Sequence, residues 1–139
     1  MNGTYTLLIY LRQPADISIG KRGEYSFKAG YYAYVGSALN DLEKRISRHL
    51  RKDKKLHWHI DYLLQHAAVQ EVIYAESSEK RECRISGELR QVLDSIPDFG
   101  CSDCRCSSHL FFNDDKDVLR KAVLMGFMVA GLVPVSNVY

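Results

Sequence analysis

At 139 residues the chain is long enough for one domain with a single core and too short for two of ordinary size. Hydrophobic residues at 46% and charged residues at 26% exclude a disordered or fibrous polypeptide and describe a globular one. A formal net charge of only +2 excludes strong whole-molecule steering toward nucleic acid, and no apolar run spans a bilayer or reads as a secretory leader, so a cytoplasmic protein with no membrane association is expected.

Residues 5–11 are rich in aromatic, aliphatic and β-branched side chains and predict a buried strand. Residues 17–19 and 24–28 flank Gly20-Lys21-Arg22-Gly23, whose glycines accept the positive backbone dihedrals of a tight turn, so a hairpin is expected. A strand over 31–35 then completes an antiparallel meander in the first third of the chain. A helix starts near Asn40 or Asp41, either of which can cap its first turn. At about 100° per residue, Leu39, Leu42, Ile46 and Leu50 form one apolar stripe, with His49 inside it and Arg45 at its border. Both are expected to face the sheet. Packing alone often satisfies such a histidine, whereas the arginine needs an anionic partner or a solvent cleft.

Residues 57–67 predict a second helix, with Trp58, Tyr62 and Leu63 available to pack, and 69–75 predict a strand. A long helix is expected over 77–95, capped by Ser77 or Ser78 and ended before Pro97. Its apolar positions are Ile85, Leu89, Val92, Leu93 and Ile96, and Glu82 falls at the centre of that stripe. An inward carboxylate is costly when ionised and unpaired, so Glu82 is expected beside a cation, a donor or a water-filled cleft, or in a structural pair with Arg45 or Lys44. A turn-rich stretch over 98–106 precedes a short strand over 109–112. Asp115 or Asp117 then caps a last helix over 118–130, apolar on most faces and expected either in the core or at a subunit interface. The expected fold is α/β (α+β), a small and mainly antiparallel central sheet flanked by helices in a single domain over 1–139.

Charge is concentrated although its sum is small. Lys44, Arg45, Arg48, Arg51, Lys52, Lys54 and Lys55 crowd one stretch against Glu43 and Asp53. This is either a basic patch that meets nucleic acid through Lys44, Arg48, Arg51 and Lys52, or a solvated helix face.

At Leu8-Ile9-Tyr10, Tyr34-Val35-Gly36, Arg45, His49 and Glu82 the chain resembles the GIY-YIG nuclease family. The stretch Tyr34-Val35-Gly36-Ser37-Ala38 through Glu43-Lys44-Arg45 and Arg48-His49 is an especially close match. Phe99-Gly100-Cys101-Ser102-Asp103-Cys104-Arg105-Cys106 with Ser108-His109-Leu110-Phe111 further resembles an uncharacterised GIY-YIG-like subgroup, sometimes fused to an endonuclease-III-type repair domain. The resemblance reaches about Asn113 and leaves 114–139 outside as a C-terminal extension.

The resemblance implies phosphodiester hydrolysis with one Mg²⁺ or Mn²⁺ ion, held chiefly by Glu82. Arg45 would grip the phosphate through its guanidinium fork. Tyr10 would take or relay a proton from the attacking water, helped by Arg45 and the metal because a free phenol is a poor base at neutral pH. Tyr34 and His49 would orient water and phosphate, and His57 or His59 would fill the place of a further histidine. Two departures stand out: Leu8 replaces the glycine of the first motif, and an extra hairpin over 17–28 separates the two motifs. Asn113 is the nearest counterpart of the family's late asparagine.

The four cysteines are expected as reduced thiols unless they bind metal. Cys101, Cys104, Cys106 and His109 offer soft ligands for Zn²⁺, but one residue between Cys104 and Cys106 is tighter than paired-knuckle spacing, and packed thiols are the alternative. The expected function is a divalent-metal-dependent endonuclease acting on DNA in repair or recombination, either structure-specific or delivered to its substrate by a partner protein. Two rivals remain, a non-catalytic nucleic-acid-binding module and a metal-binding or protein-interaction domain built on the cysteine loop. Oligomeric state and the choice between DNA and RNA are not encoded in these motifs.

Overall fold

A computed structural model describes residues 1–100 and 106–139. In chain order the elements are β1 (Gly3–Leu11), β2 (Ala15–Ser18), a 3₁₀ turn (Gly20–Arg22), β3 (Glu24–Phe27), β4 (Gly30–Ala38), α1 (Leu42–Leu50), α2 (His59–Leu63), β5 (Ala68–Glu76), α3 (Glu82–Arg90), β6 (Asp94–Ser95), β7 (Leu110–Asn113), α4 (Lys116–Val129) and β8 (Val135–Val138). The expected α/β class with an antiparallel sheet is the class observed. No helix among the described residues is long and apolar enough to cross a membrane.

β1 is buried at every position except Tyr10, which a strand achieves only when both its faces are covered. It lies inside a six-stranded antiparallel sheet of order β6-β7-β4-β1-β5-β8. Side chains alternate between the faces. Tyr5, Leu7, Ile9 and Leu11 enter a first core with Tyr32, Leu42, Ile60, Val72 and Phe99, while Leu8 enters a second core with Val35, Ile73, Ile85, Val123 and Phe127. The first core sits under α1, α2 and the β2–β3 hairpin, and the second under α3 and α4.

The expected meander is corrected. β1 pairs directly with β4, and β2 and β3 form a separate two-stranded sheet. The hairpin has one apolar side, with Ile17 and Phe27 buried while Asp16, Ser18, Glu24 and Ser26 stay exposed, so it lids the first core instead of extending the sheet.

One helix expectation is met and two change. Asp41 caps α1 by accepting from the Lys44 amide at 3.0 Å, which resolves the choice of cap. α2 is five residues long and opens where buried Asp61 accepts the amides of His57 and Trp58, each at 2.9 Å. α3 begins at Glu82, because Ser77 closes a local turn with Glu79 and the Arg81 amide donates to Thr4 Oγ1 at 3.3 Å. Glu82 is therefore the first residue of the helix, and Asp94 and Ser95 pair with β7 as strand instead of prolonging α3.

α4 is capped by Asp115, which accepts from the amides of Asp117 and Val118. It buries Leu119, Val123, Gly126 and Phe127 in the second core and leaves Met125, Met128 and Val129 exposed. Exposed β8, paired with β5, was not expected from the sequence.

Candidate active site

β7 pairs with β4 only over Tyr31–Tyr34, and the Val35 amide makes a last bond to the His109 carbonyl at 3.0 Å. Beyond that point no strand of the described residues covers the β4 edge at Gly36 and Ser37. Groups from both faces of the sheet therefore reach one cleft of about 430 Å³ along that edge. Tyr5, Tyr34, Arg45 and Trp58 come from the first face, and on the second Lys80 comes from the segment just before α3 and Glu82 from its first residue. His57, His59 and Gly100 complete the wall beside His109.

Tyr5 lies directly opposite Gly36 in the β1–β4 register, and its ring occupies the space over that glycine. A Cβ at position 36 would sit 2.5 Å from the phenol oxygen, so only glycine allows the ring its place. Tyr5 Oη is 2.7 Å from His49 Nε2, and both side chains are buried. Burial pushes the Tyr5 phenol up to about 12 against the opposing pull of the Arg45 guanidinium. Burial, with the Lys54 ammonium next, drives His49 down to about 3. The pair is thus neutral across the ordinary working range, and His49 Nδ1 has no hydrogen-bond partner among the described residues.

Arg45 is placed from two directions. Nη1 donates to the Ser37 carbonyl at 3.2 Å, and the guanidinium lies over the Trp58 ring at 4.6 Å. Arg48 stacks on the same indole at 4.3 Å. His59 Nδ1 accepts the Gly100 amide at 3.0 Å, and burial and nearby Arg22 lower its basicity. Gly100 adopts φ +74°, a conformation that favours glycine, and a Cβ there would press on the Tyr34 ring at 3.2 Å.

Of the residues expected to form the site, Tyr34, Arg45 and Glu82 line the cleft and His49 stands behind Tyr5. Both His57 and His59 line it as well. Tyr10 does not. It falls on the opposite side of β1 from Tyr5, by the odd-even alternation of a strand, and packs against Tyr31 in a tilted pair with ring centroids 4.9 Å apart. Tyr5, Trp58 and Lys80 are the cleft residues that the sequence reading missed. The available signal for Tyr5 was Gly3-Thr4-Tyr5 at the start of the same strand, in register with Gly36.

The proposed basic patch divides. Arg48 makes a bidentate ion pair with buried Asp61, both contacts at 2.9 Å, and Lys52 Nζ donates to the Leu64 and Ala67 carbonyls. These two cations hold α1 and the loop after it against α2. Lys44 and Arg51 are exposed along the outer side of α1, away from the cleft. Asn113 pairs with Tyr31 and accepts the Asp115 amide at 2.8 Å, a turn contact ahead of α4.

Within the four-residue zinc set expected from sequence, Cys101 and Cys104 lie outside the described residues. Cys106 and His109 lie together, and the structure adds Cys83 from α3: one ligand atom from each of these three falls within 4.8 Å of the others.

Fold and site define a small α/β domain with a polar cleft built from both faces of its sheet. The chain belongs to the family described as Domain of unknown function DUF123, whose model matches residues 4–130 and so takes in α4 as well as the cleft. No curated protein and no solved structure matches it.

Proposed function

We propose that the chain is a divalent-metal-dependent endonuclease of the GIY-YIG type, hydrolysing phosphodiester bonds in DNA during repair or recombination. The observation that carries this reading is the convergence on one cleft of Arg45, Tyr34, the Tyr5–His49 pair and Glu82, groups that the sequence spreads over 78 positions. Gly3-Thr4-Tyr5 strengthens the resemblance, since it supplies the glycine that Leu8 lacks and faces Gly36 of Tyr34-Val35-Gly36 across the sheet.

The oxygen donors suit Mg²⁺ or Mn²⁺. A single carboxylate beside a cleft with room for water and phosphate oxygens is the pattern a hard ion adopts, and Glu82 would hold it. When bound, the ion offsets negative charge on the scissile phosphate. Arg45 grips a phosphate oxygen with the guanidinium N–H groups not engaged by Ser37, while Trp58 holds its plane. Lys80 adds a second cation on the same wall.

Tyr5 serves to position the attacking water and not as a free base. With its phenol near 12, a standing tyrosinate is negligible at neutral pH. The phenol oxygen holds the attacking water by a hydrogen bond while the contact with His49 Nε2 at 2.7 Å fixes the ring, and an ion at Glu82 would supply the acidity by which that water loses its proton.

The test is cleavage of labelled duplex, nicked, flapped and branched DNA with Mg²⁺ or Mn²⁺. Metal-dependent cleavage is expected, abolished in Glu82→Gln, reduced about 10²-fold in Tyr5→Phe, and unchanged in Tyr10→Phe. Folded protein that cuts no substrate, or full activity in Glu82→Gln, would overturn the reading.

A further inference from the structure

Cys83 is the second residue of α3, Cys106 lies on the segment leading into β7, and His109 immediately precedes that strand. Two thiols and an imidazole from two separate elements thus place ligand atoms within 4.8 Å of one another, with no disulfide between the sulfurs. A tetrahedral Zn²⁺ site sets its ligand atoms about 3.5–3.8 Å apart, given Zn–S and Zn–N bonds of about 2.3 and 2.0–2.1 Å. The three groups therefore need close by no more than about 1.0–1.3 Å to reach bonding distance.

The imidazole is already oriented. His109 is buried, and its Nδ1 lies 2.8 Å from Ser86 Oγ, one turn along α3 from Cys83. A hydrogen bond to one ring nitrogen is the kind of outer contact that fixes a metal-binding histidine and aims its other nitrogen. Cys83 is exposed and Cys106 half-buried, so an ion can enter from solvent.

We infer that Cys83, Cys106 and His109 form a site for a soft divalent ion, Zn²⁺, separate from the carboxylate site at Glu82. Thiolate and imidazole ligands select zinc over Mg²⁺ or Mn²⁺. The ion ties the first turn of α3 to the segment entering β7. Since Glu82 immediately precedes Cys83, zinc fixes the backbone that presents the carboxylate to the cleft. The site stands on its own geometry and does not depend on the nuclease reading.

Zinc content of the full chain by mass spectrometry, with Co²⁺ absorption as a probe of thiolate ligation, tests this. One equivalent per chain and a thiolate-to-cobalt charge-transfer band are expected. Cys83→Ser and Cys106→Ser should each lower zinc affinity by more than about 100-fold, and Ser86→Ala by about 10–100-fold, the range for loss of an outer contact. Glu82→Gln should keep full zinc. Circular dichroism confirms that the variants fold, and because Cys83 is exposed its serine variant is not expected to unfold the chain. A folded wild type that takes up no zinc, a Cys83–Cys106 disulfide in the purified protein, or unchanged zinc affinity in Cys83→Ser would overturn the inference. Retention of zinc with catalytic loss in Glu82→Gln separates this site from the nuclease centre.

Discussion

The Tyr5–His49 hydrogen bond is the most sharply defined feature of the cleft, and Gly36 makes it possible. Any Cβ at position 36 collides with the phenol, and the ring atoms behind it lie only 2.6 and 3.0 Å away. Tyr5 is walled into the first core and cannot swing aside. Gly36→Ala is therefore expected to displace the phenol from His49 and cost about 1–3 kcal/mol, the usual price of overpacking. It should lower cleavage at least as far as Tyr5→Phe does. A urea titration alongside the cleavage assay measures both effects, and an alanine variant with wild-type stability and rate would mean that the ring lies elsewhere.

At the scale of elements, α1 shows how one charged helix serves two tasks. Arg45 turns toward the cleft, whereas Arg48 is committed to Asp61, whose side chain is fully buried. Arg48→Ala strands that carboxylate and should destabilise the chain at the lower end of about 3–5 kcal/mol, because Asp61 keeps its two backbone donors. Lys44→Ala and Arg51→Ala, at exposed positions, should leave stability unchanged. If DNA lies along the outer side of α1, each should reduce the salt dependence of binding by about one counterion. Denaturation and binding titrations at several salt concentrations separate the two classes, and equal destabilisation by all three substitutions would sink the assignment.

The same elements show what the sequence could reveal. Apolar periodicity located β1, β4, β5 and α1, and it placed Arg45 and His49 toward the sheet, because a buried face leaves a regular trace. It could not set the start of α3, where Ser77 and Thr4 spend their hydroxyls on local or distant backbone amides that no periodicity encodes. Tyr10 and Tyr5 are both tyrosines on β1, and only the strand's odd-even alternation relative to Gly36 separates them. The Arg48–Asp61 pair and the approach of Cys83 to His109 join residues 13 and 26 positions apart, and tertiary packing alone makes those contacts.

For the molecule as a whole, the buried cleft wall makes stability depend on pH. His49 is held near 3 by burial, with Lys54, Arg45 and Arg48 also opposing its charge and Asp61 alone favouring it, while Tyr5 faces it as a neutral phenol. The unfolded imidazole protonates near its ordinary 6.5, so below that value the unfolded chain binds a proton that the folded chain refuses. His49 therefore contributes stability that is fully present above 6.5 and is lost as the pH falls toward 3, at about 1.4 kcal/mol per pH unit. Between pH 7.5 and 4.5 the loss should approach about 3 kcal/mol, a large share of the roughly 5–15 kcal/mol that holds a typical domain together. Asp61, whose carboxyl burial pushes up but the Arg48 hydrogen bonds hold below 3.8, has the same sign but acts in a more acid window. His59, lowered by burial and Arg22, overlaps the first window, so His59→Gln serves as the control. Urea unfolding of the wild type, His49→Gln and His59→Gln at pH 7.5 and 4.5 should show the steep acid loss in the wild type, retained in part by His59→Gln and largely removed in His49→Gln. An identical acid loss in His49→Gln would mean that residue 49 is not the buried neutral imidazole, and the Tyr5 phenol would lose the partner that fixes its place in the cleft.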